Sequence, residues 1–451
     1  MISGPYLADW KEFETTMRRS LLPVLLLGAA LVAPAAHAAT PPQQPTQGPG
    51  GRDYTSSEVV KRALGTASSG TFVFHGNDEP SGPRPVVVFL HSWGAVNPGL
   101  YGGWIDHLAR RGNLVLFPRF QEVNRSRPAD ASNLAEDLIQ SALAELANDP
   151  KAKPDKERVA FIGHSAGVPI ALNLAAGAGS GKVPAPKLIF GLMPGGIASN
   201  EKERGILLRD LSAVDPATMI ITMSGDRDYI PSDRASRLLL QEASAVPSSR
   251  KLFMRAASDD HGYPALTTTL ASPGSPKADY DASAIKLPPD PPRDPKQRNT
   301  WRWSADMSLS GPQTILTQQL GSNGTDALDF LAFWKTFDLA SDAAFAGKEA
   351  SALLRDPKFV DMSTWSDGWP VKRLSAQVPK AAAPESKGEP TPRRKLNMAP
   401  PESKHGLAHR ADPKGRVDER GTRISASNDA QAQELSIGSG SKAGSLRDPM
   451  L

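Results

Sequence analysis

The chain has 451 residues, 39% of them hydrophobic, which is enough for a sizeable core in one large domain or two ordinary ones. Lys and Arg (52) nearly balance Asp and Glu (48), and no basic block with interleaved aromatics stands out, which argues against a nucleic-acid partner. Cysteine is absent, and this excludes a disulfide framework, a thiolate metal site and a cysteine nucleophile.

From Met17 the sequence reads MRRSLLPVLLLGAALVAPAAHA. Arg18 and Arg19 give a basic start, an apolar run follows, and Ala36-His37-Ala38 is a small-residue cleavage site. Residues 1–38 therefore read as an N-terminal extension and secretory signal peptide, with Met17 as the start and cleavage after Ala38. The apolar run is shorter than the roughly 18 residues a membrane span needs, so the mature protein is expected to be secreted or periplasmic without a permanent span. The paired arginines leave the general and twin-arginine export routes both open. Residues 39–52, rich in Pro, Gln and Gly, read as a flexible linker.

Residues 53–375 form the expected folded domain. Short, continuously apolar stretches at 86–90, 114–117, 158–163, 188–192, 219–223 and 251–254 suit strands buried on both faces. Amphipathic segments near 101–111, 132–147, 168–178 and 232–243 alternate with them, which predicts an α/β domain with a mostly parallel central sheet covered by helices. Residues 264–324, with KLPPDPPRDP and little periodicity, are expected to form a long cover or insertion. A helical pattern resumes over 325–345, and residues 376–451, poor in large apolar side chains, read as a disordered, solvated tail.

Residues 158–167 read RVAFIGHSAG, an apolar strand running into G-x-S-x-G and then into a helix-compatible segment. A serine on a sharp strand-to-helix turn needs small neighbours two residues to either side, so Ser165 is the candidate nucleophile. Its hydroxyl needs a base, and the base needs an orienting carboxylate. His261, in the loop AASDDHGYP, is the histidine that follows Ser165 ahead of the tail. The loop after MIITMSGDRD offers two acids; Asp228, at the loop tip, is preferred to Asp226, which suits a turn-anchoring role. An oxyanion hole is expected from the backbone amide of Ala166 and that of Ser92 or Trp93, in the loop after VVVFL. His91 and His164 are read as loop-shaping residues. Trp93, Trp301 and Trp303 are candidates for an apolar substrate-binding surface.

With this strand, His-Ser-Trp-Gly loop, GHSAG elbow, Asp loop and His loop in order, residues 70–375 resemble the α/β-hydrolase superfamily. HSWGAVNPGLYGGWIDHLARRGNLVLFPRFQ, DALDFLAFWKTFD and TWSDGWPVKRL are similar to the bacterial esterase branch near the dienelactone-hydrolase, chlorophyllase and acetylhydrolase-like proteins. His91-Ser92 stands where members carry His-Gly. The resemblance implies an α/β-hydrolase fold, with the 264–324 insertion falling after the His loop. It also implies cofactor-free and metal-free transfer of an acyl group from a small-molecule or lipid-like ester to water, through an acyl-enzyme on Ser165. A peptidase or amidase with the same Ser165, Asp228 and His261, and a non-catalytic envelope-binding protein that keeps the fold, are the competing readings. Oligomeric state is not legible.

Overall fold

The computed structural model describes residues 38–122, 125–227, 232–292, 302–309 and 313–379. Asp228, Trp301, the signal segment up to residue 37 and the tail from residue 380 lie outside the described residues.

Strands β1 (Val59–Gly65) and β2 (Gly70–Gly76) form an antiparallel hairpin, and β2 pairs antiparallel with β4 (Leu114–Pro118). Beyond it β3 (Arg84–Leu90), β5 (Pro154–His164) and β6 (Leu188–Leu192) are parallel. A small parallel pair, β7 (Ile197–Ala198) and β8 (Ile206–Leu207), stands apart from this sheet. The main sheet continues through β9 (Met219–Gly225) and β10 (Lys251–Ala256), and β11 (Ser375–Gln377) closes the edge antiparallel to β10. The resulting nine-stranded order is β1-β2-β4-β3-β5-β6-β9-β10-β11. All six predicted apolar runs are strands of this sheet, and Val86 to Leu90 have no solvent exposure. This is the α/β-hydrolase fold. The leading hairpin and the edge strand β11 went unpredicted.

Helices cover both faces because the strands are apolar on both. On one face lie α1 (Gly102–Arg110) and the long helix that ends the domain, a π-helical turn Leu328–Trp334 running into an α-helical segment Lys335–Phe345. Trp104 of α1 is the hub of this layer, edge-on to Phe89 (5.5 Å) and Phe337 and stacked on Phe333. The other face is covered by Ala131–Glu145, Gly167–Gly177 and Ser232–Glu242, whose Ile139, Ile170 and Leu239 pack with Val88, Phe161 and Ile220.

One segment differs from the expectation. Residues 39–52 are a strap laid against the domain: Gly50 N–H donates to Asp338 Oδ2 (2.8 Å), which also takes His107 Nε2 (3.0 Å). Tyr263 N–H donates to Ala39 O and Ser366 N–H to Thr40 O. Backbone atoms supply most of these bonds, so a composition of Pro, Gln and Gly conceals them. The 264–324 insertion is a folded cover in its described parts. Lys277 Nζ and Tyr280 Oη both reach Asp106 Oδ1 on α1 at 2.8 Å, Ser275 accepts the Gly103 and Trp104 amides, and helix Gln313–Ser322 buries Leu316 and Leu320.

Candidate active site

Strand β5 delivers Ser165 to a turn in which its φ is +52°, a left-handed conformation costly for a residue with a side chain. The flanking glycines make that turn possible. A Cβ on Gly163 would lie 2.7 Å from Gly167 O, and one on Gly167 would lie 2.0 Å from Leu90 O, so strand, helix and the end of β3 close to backbone contact. Ser165 N–H donates to Leu192 O (2.9 Å), and its carbonyl accepts from Val168 and Gly195. The residue is 5% exposed. Ala166 faces Gly196, where a Cβ would meet both Leu309 Cδ1 and Ala166 Cβ, so the cover walls this side of the turn.

Of the expected oxyanion amides, Ser92 is already engaged: its N–H donates to Tyr101 Oη at 3.3 Å. Among the described residues nothing accepts from the amides of Ala166 and Trp93. The Trp93 ring, in contrast, is buried in the core with Phe120 and Ala131. Trp303 is 56% exposed, and Trp301 lies outside the described residues.

A buried relay fixes the loop and the elbow together. Burial pulls His164 down to a pKa of about 4, so its ring is neutral. Its Nε2–H donates to Leu270 O (2.8 Å), leaving Nδ1 to accept from Tyr101 Oη–H (2.8 Å), whose oxygen in turn takes the Ser92 amide. His91 is also fully buried and neutral, pulled down to about 3 by desolvation. It lies flat on Phe120 at 4.0 Å and bonds Ser92 O through Nδ1. Both histidines are spent on loop geometry. Tyr101, which completes the relay, carried no recognisable motif in the sequence.

Among the described residues His261 makes no hydrogen bond to Ser165. His261 Nε2 donates to Asp367 Oδ2 at 2.7 Å, and its ring stacks on Trp369 (5.5 Å, 14°) and leans on Trp365. The Asp367 carboxyl is held below its usual range, first by this hydrogen bond. Trp365 and Asp367 belong to the turn 364–370, which docks on the His261 loop where Asp259 accepts from Trp365 Nε1 and the Lys372 amide. Asp226 is taken up as well. Burial raises its pKa, but hydrogen bonds from Ser258 and Thr268 outweigh this and keep the carboxylate ionised, tying β9 to the loop after β10. The preferred acid, Asp228, lies outside the described residues. Thr268 instead packs on Gly225, and the Leu270 carbonyl reaches His164 beside Ser165. Among the described residues no cluster of three or more His, Asp or Glu side chains is placed to hold a metal ion, and no helix is long and apolar enough to cross a membrane.

A family model described as Chlorophyllase matches residues 57–204, from the start of the hairpin through the elbow to the region beyond β6. No curated protein matches the chain. Among solved structures, an esterase from the fungus Rhizomucor miehei is 13% identical, with a TM-score of 0.33, covering 46% of this chain and 75% of its own. Carboxyl esterase 2 from the mycorrhizal fungus Tuber melanosporum is 17% identical, with a TM-score of 0.33, covering 45% of this chain and 79% of its own.

Proposed function

We propose, for a chain that has the α/β-hydrolase fold and matches the Chlorophyllase family model over residues 57–204, that it is an exported serine hydrolase cleaving carboxylic esters through an acyl-enzyme on Ser165. The observation that carries this reading is the elbow itself: Ser165 in a left-handed turn, with the amide of Ala166, next in the chain, and that of Trp93, in the loop after β3, both unpaired among the described residues. A strained serine and two unspent buried donors are costly features unless a developing oxyanion uses them.

In the proposed reaction Ser165 Oγ attacks the ester carbonyl carbon, its proton passes to His261, and the carbonyl oxygen becomes an oxyanion held by the two amides. Collapse expels the alcohol with that proton and leaves the acyl group on Ser165; water then repeats the sequence and frees the acid. Asp228 is the proposed orienting acid. Since Nε2–H of His261 is donated to Asp367, the base must first turn that nitrogen away from Asp367 to accept the serine proton. That same contact favours a second reading, in which the fold is kept for ligand binding and Ser165 is never activated.

A panel of p-nitrophenyl esters separates the two. The mature protein is expected to turn over short-chain esters and Ser165→Ala to lose that turnover. No turnover above background across the panel would favour the binding reading.

A further inference from the structure

We infer that the mature N-terminus is a working part of the His261 site: cleavage after Ala38 leaves Ala39 and Thr40 docked as a bridge between the loop that carries His261 and the turn that holds it. This rests on the export and Ser165 readings above. Three observations converge on the same two residues.

The first is the hydrogen-bond pattern. Ala39 O accepts from Tyr263 N–H (2.8 Å), two residues beyond His261, while Thr40 O accepts from Ser366 N–H (3.0 Å), the neighbour of Asp367. Thr40 N–H returns a bond to Ser366 Oγ (2.9 Å). Consecutive residues of the strap thus bond to the two segments whose contact fixes the His261 ring.

The second is a cradle with no room to spare. A Cβ on Gly262 would lie 2.0 Å from Ala39 O and 2.6 Å from the Trp365 ring, so glycine is what lets the strap enter between loop and turn. The Ala39 methyl packs against the main core cluster, whereas Ala38 is exposed.

The third is placement along the chain. The small-residue motif Ala36-His37-Ala38 ends at the residue before the first docked one. Proteolysis at that point retains both docking residues and removes what precedes them. Farther along, Gly50 on Asp338 anchors the strap independently, so loss of Ala39 and Thr40 need not release the rest.

The test compares three mature proteins, one beginning at Ala39, one at Pro41, and one beginning at Ala39 with Gly262→Ala. Amide hydrogen exchange at Tyr263 and Ser366 reads the dock directly. It is expected to accelerate at least about tenfold in the second and third proteins while core strands keep their protection. Ester kcat is expected to rise by about tenfold in both, since the dock holds His261 on Asp367, the contact the base must leave to take the serine proton. Unchanged exchange in the Pro41 protein overturns the inference, as does faster exchange with unchanged kcat, or an exported protein whose first residue is Pro41 or later. If none of the three turns over esters but the exchange pattern holds, the docking stands and the Ser165 reading fails.

Discussion

Ser165 sits in a backbone conformation that its neighbours impose, and its immediate partners are residues that look catalytic but are not free to act. His91 and His164 are buried and neutral, with pKa values pulled to about 3 and about 4. In the unfolded chain each titrates near 6.5, so the stability gained by keeping them neutral is present above pH 6.5 and is lost as pH falls toward 4. Unfolding melts at pH 7 and pH 5 should differ by about 2 kcal/mol for each histidine, with protons taken up on unfolding. A pH-independent stability between those values would contradict the buried relay. The two acids separate in the same way. Asp228→Asn is expected to cost about 10⁴ in kcat through the wrong imidazole tautomer. Asp226→Asn should cost about 1–3 kcal/mol of stability by disturbing the Ser258 and Thr268 bonds, with little effect on kcat. A collapse of kcat in Asp226→Asn alone would make Asp226 the acid. Gly163, Ser165 and Gly167 were readable in the sequence because steric need fixes residue type at fixed spacing. The Asp367 partner of His261 was not, because it lies 106 residues away, in a segment whose resemblance marked no pairing with the His261 loop.

At the scale of elements, the strands were legible because burial on both faces turns them into continuous apolar runs, as in VVVFL and MIITM. The strap over 39–52 was not, since glycines and backbone carbonyls make its contacts. The edge strand β11 was hidden for a related reason: three residues paired by backbone to β10 need no apolar pattern. Its position moves the boundary of the domain past residue 375. A chain ending at Pro379 is expected to keep its melting temperature and turnover. One ending at Ser375, which removes Ala376 and Gln377 from the β10 pairing, should melt about 1–2 °C lower, as loss of about 1 kcal/mol implies for a domain of this size. Identical melting of the two would show that β11 contributes nothing to the sheet edge.

Over the whole molecule, one sheet brings three loops to the same end, and the cover closes over them. The elbow follows β5, the free Trp93 amide follows β3, and the His261 loop follows β10, while the cover places Leu309 beside Ala166 and its Gln313–Ser322 helix near Gly94. Ser165 is consequently nearly enclosed, and His261 is engaged from outside by the C-terminal turn. An acyl-enzyme requires that enclosure to admit an ester and that histidine to change partners. The most direct measurement is intact-mass and peptide mass spectrometry of the mature protein after treatment with a fluorophosphonate. The expected result is one phosphonyl adduct, carried by the peptide containing Ser165 and missing in Ser165→Ala; an unmodified wild-type protein, or an adduct that persists in the variant, would contradict an acyl-enzyme on Ser165.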